Sequence, residues 1–437
     1  MLGTGNISIQ KTAIAAFVAV STASFQSAHA TNGMFMYGFG PTAKGMAGAG
    51  AAYSTDSLAP ATNPAGSAFV GTRSDIDVTF FAPDRWLDVS DDATFNHSRS
   101  AKRLFTMPNI GVNYELDENH SVGFSLQAMG GMATHYKEDL YRAYSAFGTP
   151  TAPTGLDLAQ TMMGLNYAYK IGTGYGKHAF GVTPYFAAQR FRATGLEPFA
   201  SSGISTRPDS VTAQGWDYSY GFGGRVGYQG RFLDDRLMIG ASYQSRSYMT
   251  QFTKYEGLFA EGGDLDIPPT AQTGIAYKVT PDVIIAVDYQ WIGYNDVRSI
   301  ANSRPKVNLQ NLNTQAPQHK LGAHDGWGFG WHDMNIVKVG IEYQHDDKLT
   351  LRGGVSHNSG IFDSHDEEML FNIPAPGVVR THVTVGASYQ LTDALGLNFS
   401  FAHALEETLR DTDRDAQGTL NLTMKQFETM VGLSYAW

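Results

Sequence analysis

The chain of 437 residues has no cysteine, so disulfides, thiol chemistry and thiolate metal sites are all excluded. It has few charges: 16% of residues are charged, with 31 Lys and Arg against 41 Asp and Glu, a net charge of -10. No basic stripe is present to neutralise phosphates, so a nucleic-acid partner is not expected. Beyond the first thirty residues no window approaches the roughly 20 consecutive apolar residues that a spanning helix needs, which excludes a helical membrane protein. The mean hydropathy of -0.23 does not exclude a membrane barrel, whose strands alternate lipid-facing and lumen-facing side chains and so average near zero.

What is present starts with a leader. Lys11, an apolar stretch at residues 12–20 and Ala28-His29-Ala30 have the charge, core and small-x-small cleavage pattern of a signal peptide over residues 1–30. Residues 31–72 do not alternate and are glycine-rich, as suits a compact irregular piece. From Arg73 onward the chain shows repeated period-two alternation. At residues 283–291, for example, Val283, Ile285, Val287, Tyr289 and Trp291 occupy one face, with Asp288 and Gln290 on the other.

This reading predicts fourteen strands, near residues 73–89, 103–116, 120–132, 156–171, 177–195, 212–230, 236–253, 269–279, 283–296, 333–345, 348–360, 378–391, 395–405 and 424–437. The gaps between them alternate without exception. Short gaps rich in Gly, Pro or Asp, such as residues 117–119 and 346–347, read as turns. Long gaps, such as residues 133–155 and 297–332, read as loops on the opposite rim. Strands leading from a long gap toward a turn or the C-terminus end in Tyr114, Tyr169, Tyr228, Tyr277, Tyr343, Tyr389 and Tyr435, all on the apolar face, as an interfacial aromatic girdle does. The expected fold is therefore all-β: a 14-stranded antiparallel transmembrane β-barrel at residues 73–437, in an outer membrane, with both termini periplasmic.

The stretch GPTAKGMAGAGAAYSTDSLAPATNPAG, from Gly40 to Gly66, resembles the N-terminal hatch of the outer-membrane long-chain fatty acid and aromatic-hydrocarbon transporters. The specific part is Gly45, Gly48 and Gly50 followed by Asn63-Pro64-Ala65. The likeness continues in the strands that end at Tyr277 and Tyr343, at residues 349–355 and at Ile373-Pro374. It implies that residues 31–72 form a small hatch plugging the barrel. It further implies capture of a hydrophobic ligand on extracellular loops, transfer to a pocket beside the hatch, and exit through a kink in the third strand. The terminal Trp437 on an alternating strand resembles the signal read by the barrel assembly machinery, though Phe is commoner there.

Candidate residues follow, each with a plainer reading beside it. Gly130 and Gly131 mark either a wall kink or an ordinary strand end. Leu140, Tyr141, Tyr144 and Phe147 form either a loop capture groove or a cluster packed on itself. Phe35, Met36, Tyr37 and Phe39 line a ligand pocket or pack against the wall. Lys137 and Arg142 face a ligand carboxylate, solvent or lipopolysaccharide. The Gly45-x-x-Gly48-x-Gly50 spacing lacks the strand and Lys-Ser/Thr of a phosphate loop, and His319, His324 and His332 lack metal-site spacing. No cofactor, no metal and no enzymatic activity are expected. The leading function is import of long-chain fatty acids, with aromatic-hydrocarbon or alkane import, a general porin and a structural or adhesive surface barrel as alternatives.

Overall fold

The computed structural model describes residues 32–89, 97–141, 153–304, 319–362, 366–411 and 419–437. It is an antiparallel sheet of sixteen strand segments. Two are short pairings, at His97–Arg99 and Tyr248–Met249, which leaves a closed barrel of fourteen. We number these β1 (Arg73–Val89), β2 (Phe105–Glu115), β3 (His120–Ala133), β4 (Gly155–Thr173), β5 (Gly176–Thr194), β6 (Asp217–Phe232) and β7 (Leu237–Gln244). They continue as β8 (Thr270–Thr280), β9 (Val283–Ile292), β10 (Met334–Gln344), β11 (Leu349–Asn358), β12 (Thr381–Gln390), β13 (Leu395–Arg410) and β14 (Leu420–Ala436). β1 pairs with β14 along its whole length, from Arg73 opposite Ala436 to Val89 opposite Leu420, and this removes the sheet edges.

The wall is inverted relative to a water-soluble sheet. On β9, Ile285, Val287 and Tyr289 are exposed while Asp288 is buried at 1%. On β10, Val337, Val339 and Ile341 are exposed while Lys338 is buried. An exposed apolar belt of this extent is stable only against lipid. The turn rim is held by Asx turns: Asp117 Oδ1 accepts from the N–H groups of Asn119 and His120, and Asp346 Oδ1 from those of Lys348 and Leu349. Trp437 N–H donates to the carbonyl of Thr72, so the C-terminus and the start of β1 share this rim.

Two strands depart from the periodicity. The expected seventh strand, 236–253, is interrupted after Gln244 but continues up the wall: Ser247 pairs with Ile267 in the register of Gln244 with Thr270, and Tyr248 and Met249 pair with Phe222 and Gly221 of β6 after a shift of one residue. The thirteenth, expected to end at 405, runs to Arg410 through a bulge between Ala404 and Glu407, and β14 correspondingly begins at Leu420.

At the opposite rim the described parts of the long loops do not stand as separate fingers. They share one aromatic-rich core that includes Tyr136, Phe199, Tyr255, Trp327, Trp331 and Phe371. Phe199 meets Phe371 edge-on at 5.5 Å, and Tyr294 meets Trp331 edge-on at 5.2 Å. Below this dome, residues 32–72 lie within the ring of strands. They form one helix, α1 (Gly40–Gly45), and two 3-10 turns, Ala59–Ala61 and Pro64–Phe69.

Candidate functional site

The N-terminal segment is fixed by inward-facing polar side chains from opposite sides of the barrel. Asp288 Oδ2 on β9 accepts from Gly50 N–H and Ala51 N–H, both at 2.8 Å. Lys338 Nζ on β10 donates to the carbonyls of Tyr37 at 2.9 Å and Gly48 at 3.1 Å. Thr384 Oγ1 on β12 receives Ala47 N–H and donates to Gly45 O. Across the ring, Lys44 forms a buried ion pair with Glu428 on β14, and Asp75 on β1 accepts from both the N–H and the hydroxyl of Ser57. Burial, reinforced by the Glu428 carboxylate, pushes the Tyr37 phenol well above its ordinary range, so this ring stays neutral.

The Asn63-Pro64-Ala65 motif has a local reason. Asn63 Oδ1 accepts from Ala65 N–H at 3.1 Å and so caps the Pro64–Phe69 turn, with proline in its first position. Its amide donates to Ala51 O at 2.6 Å and to Tyr228 O of β6 at 2.9 Å. The wall makes room for it: a Cβ on Gly227 would lie 2.0 Å from Asn63 Oδ1, and one on Gly181 2.3 Å from Pro64. Gly48, at φ +88°, is required twice, because a Cβ there would also sit 1.9 Å from the Tyr37 carbonyl. Gly45 packs against Gly386 of β12.

The defect in the wall lies in β3. It pairs with β2 from Glu115 opposite Ser121 only as far as Ile110 opposite Leu126, although β2 itself continues to Phe105. Beyond that point Asn109 substitutes a side-chain contact, accepting Ala128 N–H at 3.1 Å and donating to Asp77 at 2.6 Å. The register with β4 shifts between Ala128 and Gly130. Gly130 and Gly131 adopt φ of 151° and 147°, backbone that suits only glycine. They therefore lie inside β3, which runs on to Ala133, and not at its end.

The freed edge is taken by the N-terminal segment. Met36 N–H donates to Met129 O at 3.0 Å, and Gly131 N–H donates to Met34 O at 3.1 Å. Tyr294 holds this short strand from the other side, donating to Asn32 O at 2.5 Å and accepting Met34 N–H at 3.1 Å.

Phe35, Met36, Tyr37 and Phe39 all line a small cavity of about 20 Å³, together with Met129 from the bend. Its opposite side is polar, with Arg225, Gln244, Gln272 and Lys338. The candidates therefore border this cavity and also pack against the wall. Phe35 also packs on Tyr294 at 6.1 Å and Tyr37 stacks on His382 at 5.8 Å, while Phe39 is half-buried.

The loop candidates fall otherwise. An exposed groove at Leu140 and Tyr141 is not found: Leu140 is buried at 4% and Tyr141 at 0%. Tyr141 donates its hydroxyl to Leu370 O and meets Phe199 edge-on at 5.1 Å, so both side chains belong to the dome core, where apolar burial outweighs exposure. Tyr144, Phe147 and Arg142 lie outside the described residues, and Lys137 is exposed. His319 and His324 are exposed and face Asp325 and Glu261.

A lipid-facing barrel with a lumen occupied by its own N-terminal segment and one strand bent out of register defines a β-barrel transport protein of the outer membrane. The family described as "Outer membrane protein transport protein (OMPP1/FadL/TodX)" matches residues 19–436, and the chain belongs to it. The 47 kDa outer membrane protein of Pasteurella multocida (strain Pm70) is 24% identical over 323 residues, covering 68% of this chain and 69% of that protein. Among solved structures, the Pseudomonas putida toluene transporter TodX is similar with a TM-score of 0.66 at 17% identity, covering 92% of this chain and 99% of that one. A Pseudomonas aeruginosa FadL homologue gives 0.63 at 13% identity, covering 92% and 99%. At these identities the structural likeness is one of fold.

Proposed function

We propose that the protein imports hydrophobic small molecules, long-chain fatty acids foremost, with residues 31–72 acting as a hatch. In this reading the turn rim and both termini face the periplasm, and the aromatic dome faces outward and captures the ligand. The ligand passes to the cavity beside Phe35 and Tyr37 and leaves sideways through the bend of β3. The observation that carries the reading is the pairing of Met34 and Met36 with Met129 and Gly131. Backbone in a membrane wall must be satisfied. Here the partner of β3 is a segment that can withdraw, so its departure opens the gap between β2 and β3.

A carboxylate head group suits the polar side of the cavity, where Arg225 and Lys338 now serve backbone carbonyls of the N-terminal segment. Import of aromatic hydrocarbons is the second reading. It is favoured by the fold likeness to a protein named as a toluene transporter.

Uptake of labelled oleate and, separately, of labelled toluene is measured in cells lacking their own transporter, at matched expression of the intact chain or one without residues 31–66. Faster oleate entry only with the intact chain supports fatty-acid import. Toluene entry alone moves the assignment to hydrocarbons. Entry of neither refutes transport in favour of a surface barrel, and a large steady conductance of the intact chain would indicate a porin.

A further inference from the structure

The outward face of β5 changes character along its length. Phe180, Val182 and Phe186 lie on the lipid-facing side, and the next outward positions toward the loop rim after Ala188 are Arg190 and Arg192. Four residues of strand span roughly 13 Å, the distance from the edge of a hydrocarbon core into a head-group layer. The neighbouring surface has the same gradient. Phe186 stacks on Tyr220 at 6.0 Å and meets Phe222 edge-on at 5.3 Å in the apolar band, while Trp216 stands above them.

Both arginines lie against Trp216, with guanidinium carbons 4.6 and 4.3 Å from the ring centroid. This stacking holds two like charges side by side. Asp157 of β4 sits between Arg192 at 3.5 Å and Lys102 at 3.7 Å. Those separations are longer than the roughly 2.8 Å of a charge-assisted hydrogen bond. Arg192 and Lys102 thus share one carboxylate at a cleft of about 150 Å³ that Thr134, His135 and Leu156 also line, and Arg190 adds a third positive charge beside it through the shared Trp216 ring. Lys254 adds a fourth cation nearby, donating to the Trp216 carbonyl at 2.7 Å, with Asp217 accepting its backbone N–H.

We propose that this cleft is a binding site for the phosphate of an outer-leaflet lipid head group, with Arg190, Arg192 and Lys102 as its donors. The acyl chains then lie down the wall over Phe186, Tyr220 and Phe222. The inference rests on the outward orientation of the loop rim given above. Thr134 and His135 directly continue β3, so the bound lipid anchors the outer end of the bent strand.

The test uses the full-length barrel in detergent, titrated by native mass spectrometry with bis-phosphorylated lipid A, the same lipid without phosphates, and inorganic phosphate as competitor. The intact chain is expected to prefer the phosphorylated lipid, and the R190Q/R192Q variant to lose roughly tenfold or more in affinity. Lys177→Gln, at the turn rim, is the control and retains binding. Trp216→Leu keeps the charges but frees the arginines and falls between the two, so the site remains testable if the double variant folds poorly. Equal binding of both lipids by the intact chain, or undiminished binding by the folded double variant, would overturn the site. Displacement by inorganic phosphate at matched concentration would overturn the lipid as its source. Orientation is read separately: Gln214→Cys in this cysteine-free chain must react with an impermeant maleimide on intact cells. Absence of that labelling refutes the orientation whatever the binding result.

Discussion

Replacing Asp288 separates the N-terminal segment, the proposed hatch, from the wall at one defined point. Its Oδ2 is the acceptor for Gly50 N–H, Ala51 N–H and Gln272 Nε2, at 2.8, 2.8 and 2.7 Å. In Asp288→Ala the two buried donors of the N-terminal segment lose their acceptor at about 1–3 kcal/mol each, so the interface weakens by about 3 kcal/mol even if lumen water restores part of the loss, while Gln272 keeps its bond to Gly48 O. The adjacent Lys338, opposite Asp288 in the β9–β10 register, also loses its compensating charge. Asp288→Asn keeps one acceptor oxygen and exchanges charge-assisted bonds for neutral ones of roughly half the strength. The barrel ladder itself is backbone-bonded and is unaffected by either change. Planar-bilayer conductance is therefore expected to rise in the order intact chain, Asp288→Asn, Asp288→Ala, with brief openings in place of a steady pore because Thr384, Lys338 and Lys44 still hold the segment. Protease access to residues 32–72 should follow the same order. Conductance and protection unchanged in Asp288→Ala, with an intact heat-shifted barrel on gels, would refute the idea that this carboxylate holds the hatch.

Gly131→Val places a β-branched side chain at φ 147° and costs about 1–3 kcal/mol of strain, so β3 should release the Met34–Met36 strand; faster amide exchange at those residues and altered oleate uptake check it. Tyr294→Phe leaves the Met34 N–H without its acceptor, about 1–3 kcal/mol, and should raise exchange at residues 32–36 while leaving barrel melting unchanged. In the dome, burial and then the neighbouring Asp266 charge raise Asp264 to about 7, with Arg246 opposing and Glu261 adding to the shift. The folded state therefore binds this proton more tightly than the unfolded chain does. Its contribution is full below about pH 4 and is lost as pH rises through about 7. Protection at residues 260–266, taken relative to intrinsic exchange at each pH, should fall between about pH 4 and pH 7, and Asp264→Asn should abolish that fall.

The barrel was legible because lipid on one side and a polar lumen on the other impose alternation on every strand, as at Ile285, Val287 and Tyr289 against Asp288. Alternation also misled. Tyr248 and Met249 keep the pattern of β7 and still pair with β6, but the register shifts by one residue between Gln244 and Tyr248, a break that periodicity alone does not record. Glu406 and Glu407 read as loop because charge ends most strands, yet a bulge lets β13 continue past them. At the site, the glycine pair at 130–131 was visible, but its partner was not: residues 34–36 form too short a strand to alternate. The glycines that receive the hatch, Gly181 and Gly227 among them, carried a usable signal, since inward-facing strand positions without side chains mark a close backbone approach. Of the loop candidates, Leu140 and Tyr141 fill a core; the sequence left both readings open because apolar loop residues look the same whether they line a groove or fill a core.

The two ends of the N-terminal segment are held by forces of different kinds, and this bears on how the proposed import would open the wall. Residues 44–57 are registered by buried charges and their hydrogen bonds, to Glu428, Asp288, Thr384 and Asp75. Breaking any one of these strands a partner in a low-dielectric lumen, at about 3–5 kcal/mol for an ion pair. Residues 34–36 are joined to the bend of β3 by two neutral backbone bonds, worth about 0.5–1.5 kcal/mol each in net terms. Burial of a methylene contributes about 0.8 kcal/mol, so two to four methylenes of a ligand entering the cavity at Phe35 and Met129 offset both bonds. On the proposed function, the least costly route to an open wall is local exchange of a short strand for ligand, with the rest of the N-terminal segment left in place. A single aromatic ring buries enough surface to do the same, which is why the energetics of opening do not discriminate between an alkyl chain and an aromatic hydrocarbon. Selectivity then falls to the polar side of the cavity, where a carboxylate would compete with the Tyr37 and Gly48 carbonyls for Lys338.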